Sequence, residues 1–355
     1  MTDTQKPSAG TGLARFLGAC HRQPVDATPV WFMRQAGHGI PEYDEMRKKY
    51  DILTIARTPE LCARVSLLPI TTYGVDAAVM YTDIILPLQA MGLNATLDPK
   101  IGPLVANPIR TMQDVEALRE PEALEGTPFV MEAIRIVHNE LAGQKAVIAI
   151  SGGLFTLALY CIEGRPSRDY AFTKSLMYEH PEVWHAFMQK LTTVISRYVV
   201  AEAEAGATAV QIFDTNVGFL GPSAYRTFVQ PYTRALFDAL RQTGVPGIHF
   251  GTSTTGLLEV MAETGGDVMG IDWRFDLDDA WAKLDYKHAI MGNLDPTLLL
   301  APWEIVEAEM HDVLRRAAGR PGHIFNLGHA IHPASNPDHL RRLVDAVHEQ
   351  TAQAR

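Results

Sequence analysis

An alternation repeated eight times constrains this chain more than any other feature of it. Short apolar runs of three to six residues are separated by longer stretches with helical spacing. The runs are Val30–Met33, 77–82, Ala146–Ile150, 209–213, 247–250, Val268–Ile271, Ala289–Met291 and 323–327. Runs this short and continuously apolar suit strands buried on both faces of a parallel sheet. Helical stretches between them suit right-handed crossovers. Eight such units predict a (β/α)8 TIM-type barrel in a single domain, and 355 residues accommodate one with insertions. An open doubly wound sheet is the structural competitor, but no G-x-G-x-x-G follows the first run.

Helices are expected over Leu13–Cys20, from Pro59, over Phe129–Leu141, from about Pro181, from Pro222 to Arg241, over Trp303–Ala318 and after Asn336-Pro337. Residues 1–12 are polar and predicted to be disordered, so the barrel domain is assigned to residues 13–355. The segment 84–128 is the main excursion from the alternation.

Composition narrows the function classes. A formal net charge of −10 with no lysine or arginine block argues against a nucleic-acid surface. An acidic small ligand is compatible with that charge if a local cationic pocket opposes it. No apolar run approaches membrane-helix length, and the first residues have no signal-peptide apolar region. The three cysteines, Cys20, Cys62 and Cys161, lie far apart and form neither a disulfide framework nor a C-x-x-C pair. A reduced, cytoplasmic protein is the expectation.

Barrel enzymes collect functional groups where strands end at the C-terminal face. The runs here lead into Arg34, Asp83, Ser151-Gly152, Asp214-Thr215, Gly251, Asp272, Asn293 and His329. The first run delivers Arg34, Gln35, Ala36, Gly37 and His38 into a loop broken by glycine and proline. Pro41-Glu42-Tyr43 and Arg47 follow. This crowding suits one wall of an anion site, with a solvated surface loop as the alternative. Asp83 reads either as a helix cap or as a carboxylate facing a pocket. Tyr160 lies on an apolar helix, where core packing is the alternative. Thr215 is a turn hydroxyl or a ligand contact, and His329 a structural or a functional imidazole.

These residues also carry a resemblance. MRQAG at 33–37, Pro41-Glu42-Tyr43, Arg47, Asp83 in YTDIILPLQAMG, Tyr160 with Glu163 and Gly164, GIDW at 270–273, GNLDP at 292–296 and His329 in NLGHAIHP are similar, in order and spacing, to the motifs of the uroporphyrinogen decarboxylase family. The similarity extends from about Arg15 to Leu343. It implies cofactor-independent removal of four acetate carboxyls from uroporphyrinogen III, giving coproporphyrinogen III and CO2 in haem biosynthesis. It also implies a homodimer, no metal, and a tetrapyrrole as the small-molecule partner.

By this resemblance Arg34, Asp83, Tyr160 and His329 are catalytic. Gln35, Ala36, Gly37, His38, Arg47 and Thr215 join them in binding substrate. The chain departs from the family where His38 replaces a second arginine and where Thr215 stands for a frequent serine. Other classes remain open: a corrinoid-linked methyltransferase-like enzyme, or a non-catalytic tetrapyrrole-binding protein. The zinc-dependent methyltransferases place a cysteine two residues after a histidine near the fifth strand; here the chain reads His249-Phe250-Gly251.

Overall fold

The computed structural model describes residues 10–37, 39–98 and 100–352. Among the described residues nine strands form: β1 (Ala77–Val79), β2 (Ala95–Asp98), β3 (Gly102–Val105), β4 (Ala146–Gly152), β5 (Ala209–Asp214), β6 (Gly247–Gly251), β7 (Val268–Gly270), β8 (Ala289–Leu294) and β9 (His323–Leu327). Seven of them pair in parallel in the order β1-β4-β5-β6-β7-β8-β9. Helices such as Pro128–Leu141, Pro181–Glu204 and Trp303–Ala317 lie between consecutive strands. The chain is a single α/β domain of TIM-barrel type.

The ring closes through Val30. It bridges Phe325 of β9 in parallel, and its carbonyl accepts the Asp76 N–H at 2.8 Å just before β1. The sequence predicts a full strand over Val30–Met33, but only this one bridge forms. The reason is that side chains take the backbone N–H groups a ladder would use. Asp76 Oδ2 accepts from Val30 N, Gln35 Oε1 from Phe32 N and Asn326 Oδ1 from Met33 N. All are satisfied while buried, as an interior segment requires.

Alternate strand residues point inward. Trp31, Met33, Ile148, Phe250, Met291 and Ile324 fill the barrel, while the alanines that open β1, β4, β5 and β8 leave room for Phe16. Phe16 belongs to the helix Gly12–Cys20, whose N-cap is Thr11. Thr11 and Gly12 are thus ordered structure, and the remaining disorder expectation, residues 1–9, lies outside the described residues.

The expected helix from Pro222 to Arg241 is two, Pro222–Phe228 and Gln230–Arg241, broken at Val229 with φ −126°. Pro231 lacks the N–H that a continuous helix would use there, so the chain restarts with proline in the first turn. Within the excursion 84–128, β2 and β3 form an antiparallel hairpin that the sequence reading missed. Val105 N donates to Gly164 O at 2.7 Å and Ile109 N to Cys161 O at 3.0 Å, so the excursion is stitched to the barrel.

Candidate active site

Arg34 follows Met33 with φ 58°, a left-handed conformation that costs a non-glycine residue about 1–2 kcal/mol. Surrounding structure holds it there. Gln35 is fully buried, and its Nε2 donates to Ala77 O at 2.7 Å while its Oε1 caps Phe32. Gln35 therefore pins the loop to β1 and does not face solvent. Arg34 itself is exposed. Met33 O accepts from Ile331 N at 3.2 Å, which ties the Arg34 turn to the loop carrying His329.

Gly37 has φ 109°, and a Cβ there would lie 2.7 Å from the Tyr43 ring. The close approach lets Tyr43 reach across to Tyr81, with hydroxyl oxygens 2.7 Å apart. Ala36 is half-buried and packs with Tyr43 and Tyr81 on a small cluster of Met46, Ile55 and Val65. Arg47 ends the helix Pro41–Arg47 and donates to Tyr50 O at 2.6 Å, with its charge also felt at Tyr81. His38 lies outside the described residues.

Asp83 stands beyond the end of β1. Its Oδ1 accepts from Ile85 N at 3.0 Å, so this carboxylate braces the turn that leads into the helix Leu86–Ala90. Among the described residues its second carboxylate oxygen has no hydrogen-bond donor. Burial pushes its pKa up, opposed by the Ile85 N–H and the Arg34 charge.

Tyr160 comes from the helix Leu154–Glu163 that follows β4. Burial raises its pKa, Asn216 lowers it, Asp83 raises it and Arg34 lowers it, so the phenol keeps its proton at neutral pH. His329 is held below the ordinary imidazole value of 6.5, first by burial and then by Arg34 and Arg274, with Asp272 pulling the other way. It is neutral at pH 7 and stacks edge-on to Phe250 at 6.1 Å.

Arg34, Asp83, Tyr160 and His329 arise from four separate segments, yet the charge of Arg34 reaches the other three. Thr215 follows β5 at the same face, half-buried, its carbonyl accepting from Thr252 Oγ1 at 2.6 Å. Among the described residues no group of three or more His, Cys, Asp or Glu side chains is placed to hold a metal ion. His249 is fully buried, its ring 5.2 Å from Phe237 of the helix layer.

Sequence reasoning missed the residues that position these groups. Asp214 accepts from Thr156 N at 3.0 Å and from Thr156 Oγ1 at 2.8 Å, fixing the first turn of the Tyr160 helix. Gly153 permits it: a Cβ there would lie 2.4 Å from Asp214 Cγ. Gly328 plays the same part for His329, since its Cβ would meet Trp273 N at 2.4 Å. The motifs GIDW and NLGH are separate in sequence and touch only in the fold.

A family model described as "Uroporphyrinogen decarboxylase (URO-D)" matches residues 11–350. The chain belongs to the uroporphyrinogen decarboxylase family. A uroporphyrinogen decarboxylase of Roseiflexus sp. (strain RS-1) is 48% identical over 345 residues, covering 96% of this chain and 99% of that protein. One of Carboxydothermus hydrogenoformans is 46% identical over 334 residues, covering 94% and 95%. Among solved structures, a methyltransferase from Methanosarcina mazei superposes with a TM-score of 0.80 at 21% identity, covering 96% of this chain and 99% of that one. That similarity shows a common fold and carries no reaction with it.

Proposed function

We propose that this protein decarboxylates the acetate side chains of uroporphyrinogen in tetrapyrrole biosynthesis. Family membership supports the activity, and one observation carries the site: a single arginine bears electrostatically on a carboxylate, a phenol and a neutral imidazole from three other parts of the ring.

Losing CO2 from an acetate leaves an electron pair that needs a sink. A pyrrole supplies one when the ring carbon beside the acetate is protonated. The C–C bond to the carboxylate then breaks, its electrons enter the ring iminium, a proton on the exocyclic carbon completes a methyl group, and loss of the proton first added to the ring carbon restores the pyrrole. Arg34 holds the departing carboxylate and orients a water that serves as proton donor. Asp83, with one oxygen fixed by Ile85 and the other open, faces the pyrrole N–H groups and balances the cationic ring. Tyr160 donates a hydrogen bond to substrate or to Asp83. Neutral His329 offers a donor and an acceptor without adding charge. Arg47, Thr215, His38 and the Gly37 backbone contact outlying carboxylates. Four rounds give coproporphyrinogen.

The reading includes a cytoplasmic location and a homodimer. Three buried, unpaired cysteines suit a reducing compartment, and no helix among the described residues is long and apolar enough to cross a membrane.

Anaerobic incubation with uroporphyrinogen, followed by chromatography of the oxidised products, tests the activity. Hepta- to tetracarboxylate porphyrins are expected. Tight binding without turnover would instead support a carrier.

His38→Arg is expected to raise kcat/KM by about 5- to 150-fold, equivalent to 1–3 kcal/mol. Arginine carries a permanent charge and a planar fork that grips a carboxylate through two hydrogen bonds. Histidine at its reference pKa of about 6.5 is mostly neutral at pH 7 and lacks the fork. An unchanged or lower kcat/KM between about pH 6 and 8 would show that the histidine is not an impaired substitute.

A further inference from the structure

The loop leaving β7 is unusually well braced. Asp272 is buried; its Oδ2 accepts from Ser253 N at 2.7 Å and its Oδ1 from Arg274 N at 3.1 Å. Asn293, from the GNLDP motif on β8, donates through Nδ2 to Asp272 O at 3.0 Å and to Phe275 O at 2.6 Å. Both ends of the four-residue segment 272–275 are therefore held by one amide. The segment projects Arg274, whose guanidinium lies 4.0 Å from the centroid of the Trp273 ring. Its side chain is 48% exposed and uses one nitrogen, at 2.6 Å, on Asp272. Among the described residues the rest of the fork has no hydrogen-bond partner.

Arg274 is not the sole partner of the carboxylate it pairs with. The residue beneath it, Asp272, already receives two backbone N–H groups. Gly328 packs against Trp273 N so tightly that no side chain fits, which brings the loop alongside His329. The charge of Arg274 is accordingly felt at that imidazole, on the side opposed by Asp272.

We propose that Arg274 is a carboxylate-anchoring residue, gripping an acidic side chain of the substrate at the rim of the barrel between β7 and β9. The inference rests on the tetrapyrrole-decarboxylase reading and adds a contact that the loop 34–47 does not supply. A chain of net charge −10 needs local cations to attract a polycarboxylate. An arginine laid on an aromatic ring and tethered by one nitrogen has lost most of its rotamer freedom before the ligand arrives, so less is lost on binding. The free edge of the fork takes the ligand carboxylate while Asp272 keeps its two backbone donors.

Arg274→Gln and Arg274→Lys separate an anchor from a scaffold. Glutamine can still donate to Asp272, so the loop and the melting temperature should hold. With uroporphyrinogen under anaerobic conditions, Arg274→Gln is expected to raise KM about 10-fold with kcat within about twofold, and Arg274→Lys to recover part of the loss. Equilibrium binding of uroporphyrin, read by fluorescence quenching, should weaken about 10-fold in Arg274→Gln whether or not turnover occurs. Unchanged KM and unchanged uroporphyrin affinity in a folded variant overturn the proposal. So does a fall in kcat and melting temperature at constant KM, the mark of a scaffold. A wild type that binds uroporphyrin but does not turn over uroporphyrinogen sinks the decarboxylase reading alone, and the binding comparison still decides Arg274.

Discussion

Asp83→Asn is expected to give a folded protein whose turnover of uroporphyrinogen falls roughly 30- to 1000-fold, equivalent to about 2–4 kcal/mol of lost transition-state stabilisation. Asparagine keeps an oxygen for the Ile85 N–H, which lies 3.0 Å from Asp83 Oδ1, so the local turn survives. What disappears is the negative charge facing a ring that is cationic from its protonation until CO2 leaves. The stability effect should run the other way. Burial raises the pKa of Asp83 in the folded state, so the charged form is disfavoured by folding at pH above the ordinary carboxylate value. Removing that ionisation should leave the melting temperature at pH 7 unchanged or higher. Near-normal turnover in the folded variant would refute the assigned role.

Asp76→Ala is the substitution expected to cost the most stability, about 3–5 kcal/mol. Asp76 is fully buried just before β1 and gathers two cationic partners, Arg15 at 2.7 Å and Lys145 at 3.5 Å, and the His348 imidazole at 2.7 Å. It also accepts from Val30 N at 2.9 Å. One carboxylate thus joins the first helix, the last helix and the seam where the barrel closes. Desolvation pushes its pKa up, but the His348 hydrogen bond and the charges of His348, Lys145 and Arg15 prevail, and the net shift is downward from 3.8.

A lowered carboxylate pKa contributes stability that is complete above the unfolded value and is lost as pH falls through the folded one. The difference between wild type and Asp76→Ala should therefore be full near neutrality and shrink as pH drops below about 4. Denaturant melts across that range check it. A difference that stays constant with pH would mean that packing, and not the charge, is what the substitution removes. Because Val30 leads directly to Arg34, activity should weaken along with stability.

The barrel was legible because its strands are short, apolar on both faces and separated by helices. Seven of the eight predicted runs pair in the parallel ring, and the eighth closes it. Pro181 and Asn336-Pro337 marked helix starts correctly, since proline and asparagine act there through local backbone chemistry. The β2–β3 hairpin was not legible. Its segments, ATLD and GPLV, are too short and too mixed in character to announce strands before they pair.

What the sequence determined by itself was therefore local and periodic: the alternation, the helix starts, and the polar residues that follow each strand. Those residues became a list of candidates, Arg34, Asp83, Thr215 and His329 among them, because a parallel ring puts all its strand ends on one face; Tyr160, within a helix, joined them only through the family resemblance. The tertiary structure alone decided which candidates meet and which support. Gln35 looked like a ligand contact and is a buried staple between Phe32 and Ala77. Asp214 looked like another strand-end acid and instead caps the helix that aims Tyr160. Arg274 had no signal in the sequence beyond its position after GIDW. Its standing depends on Asn293 and Gly328, residues about 20 and 54 positions further along the chain, reaching the same few atoms of backbone. Close approaches of that kind depend on distances between strands, and no pattern within one strand encodes them.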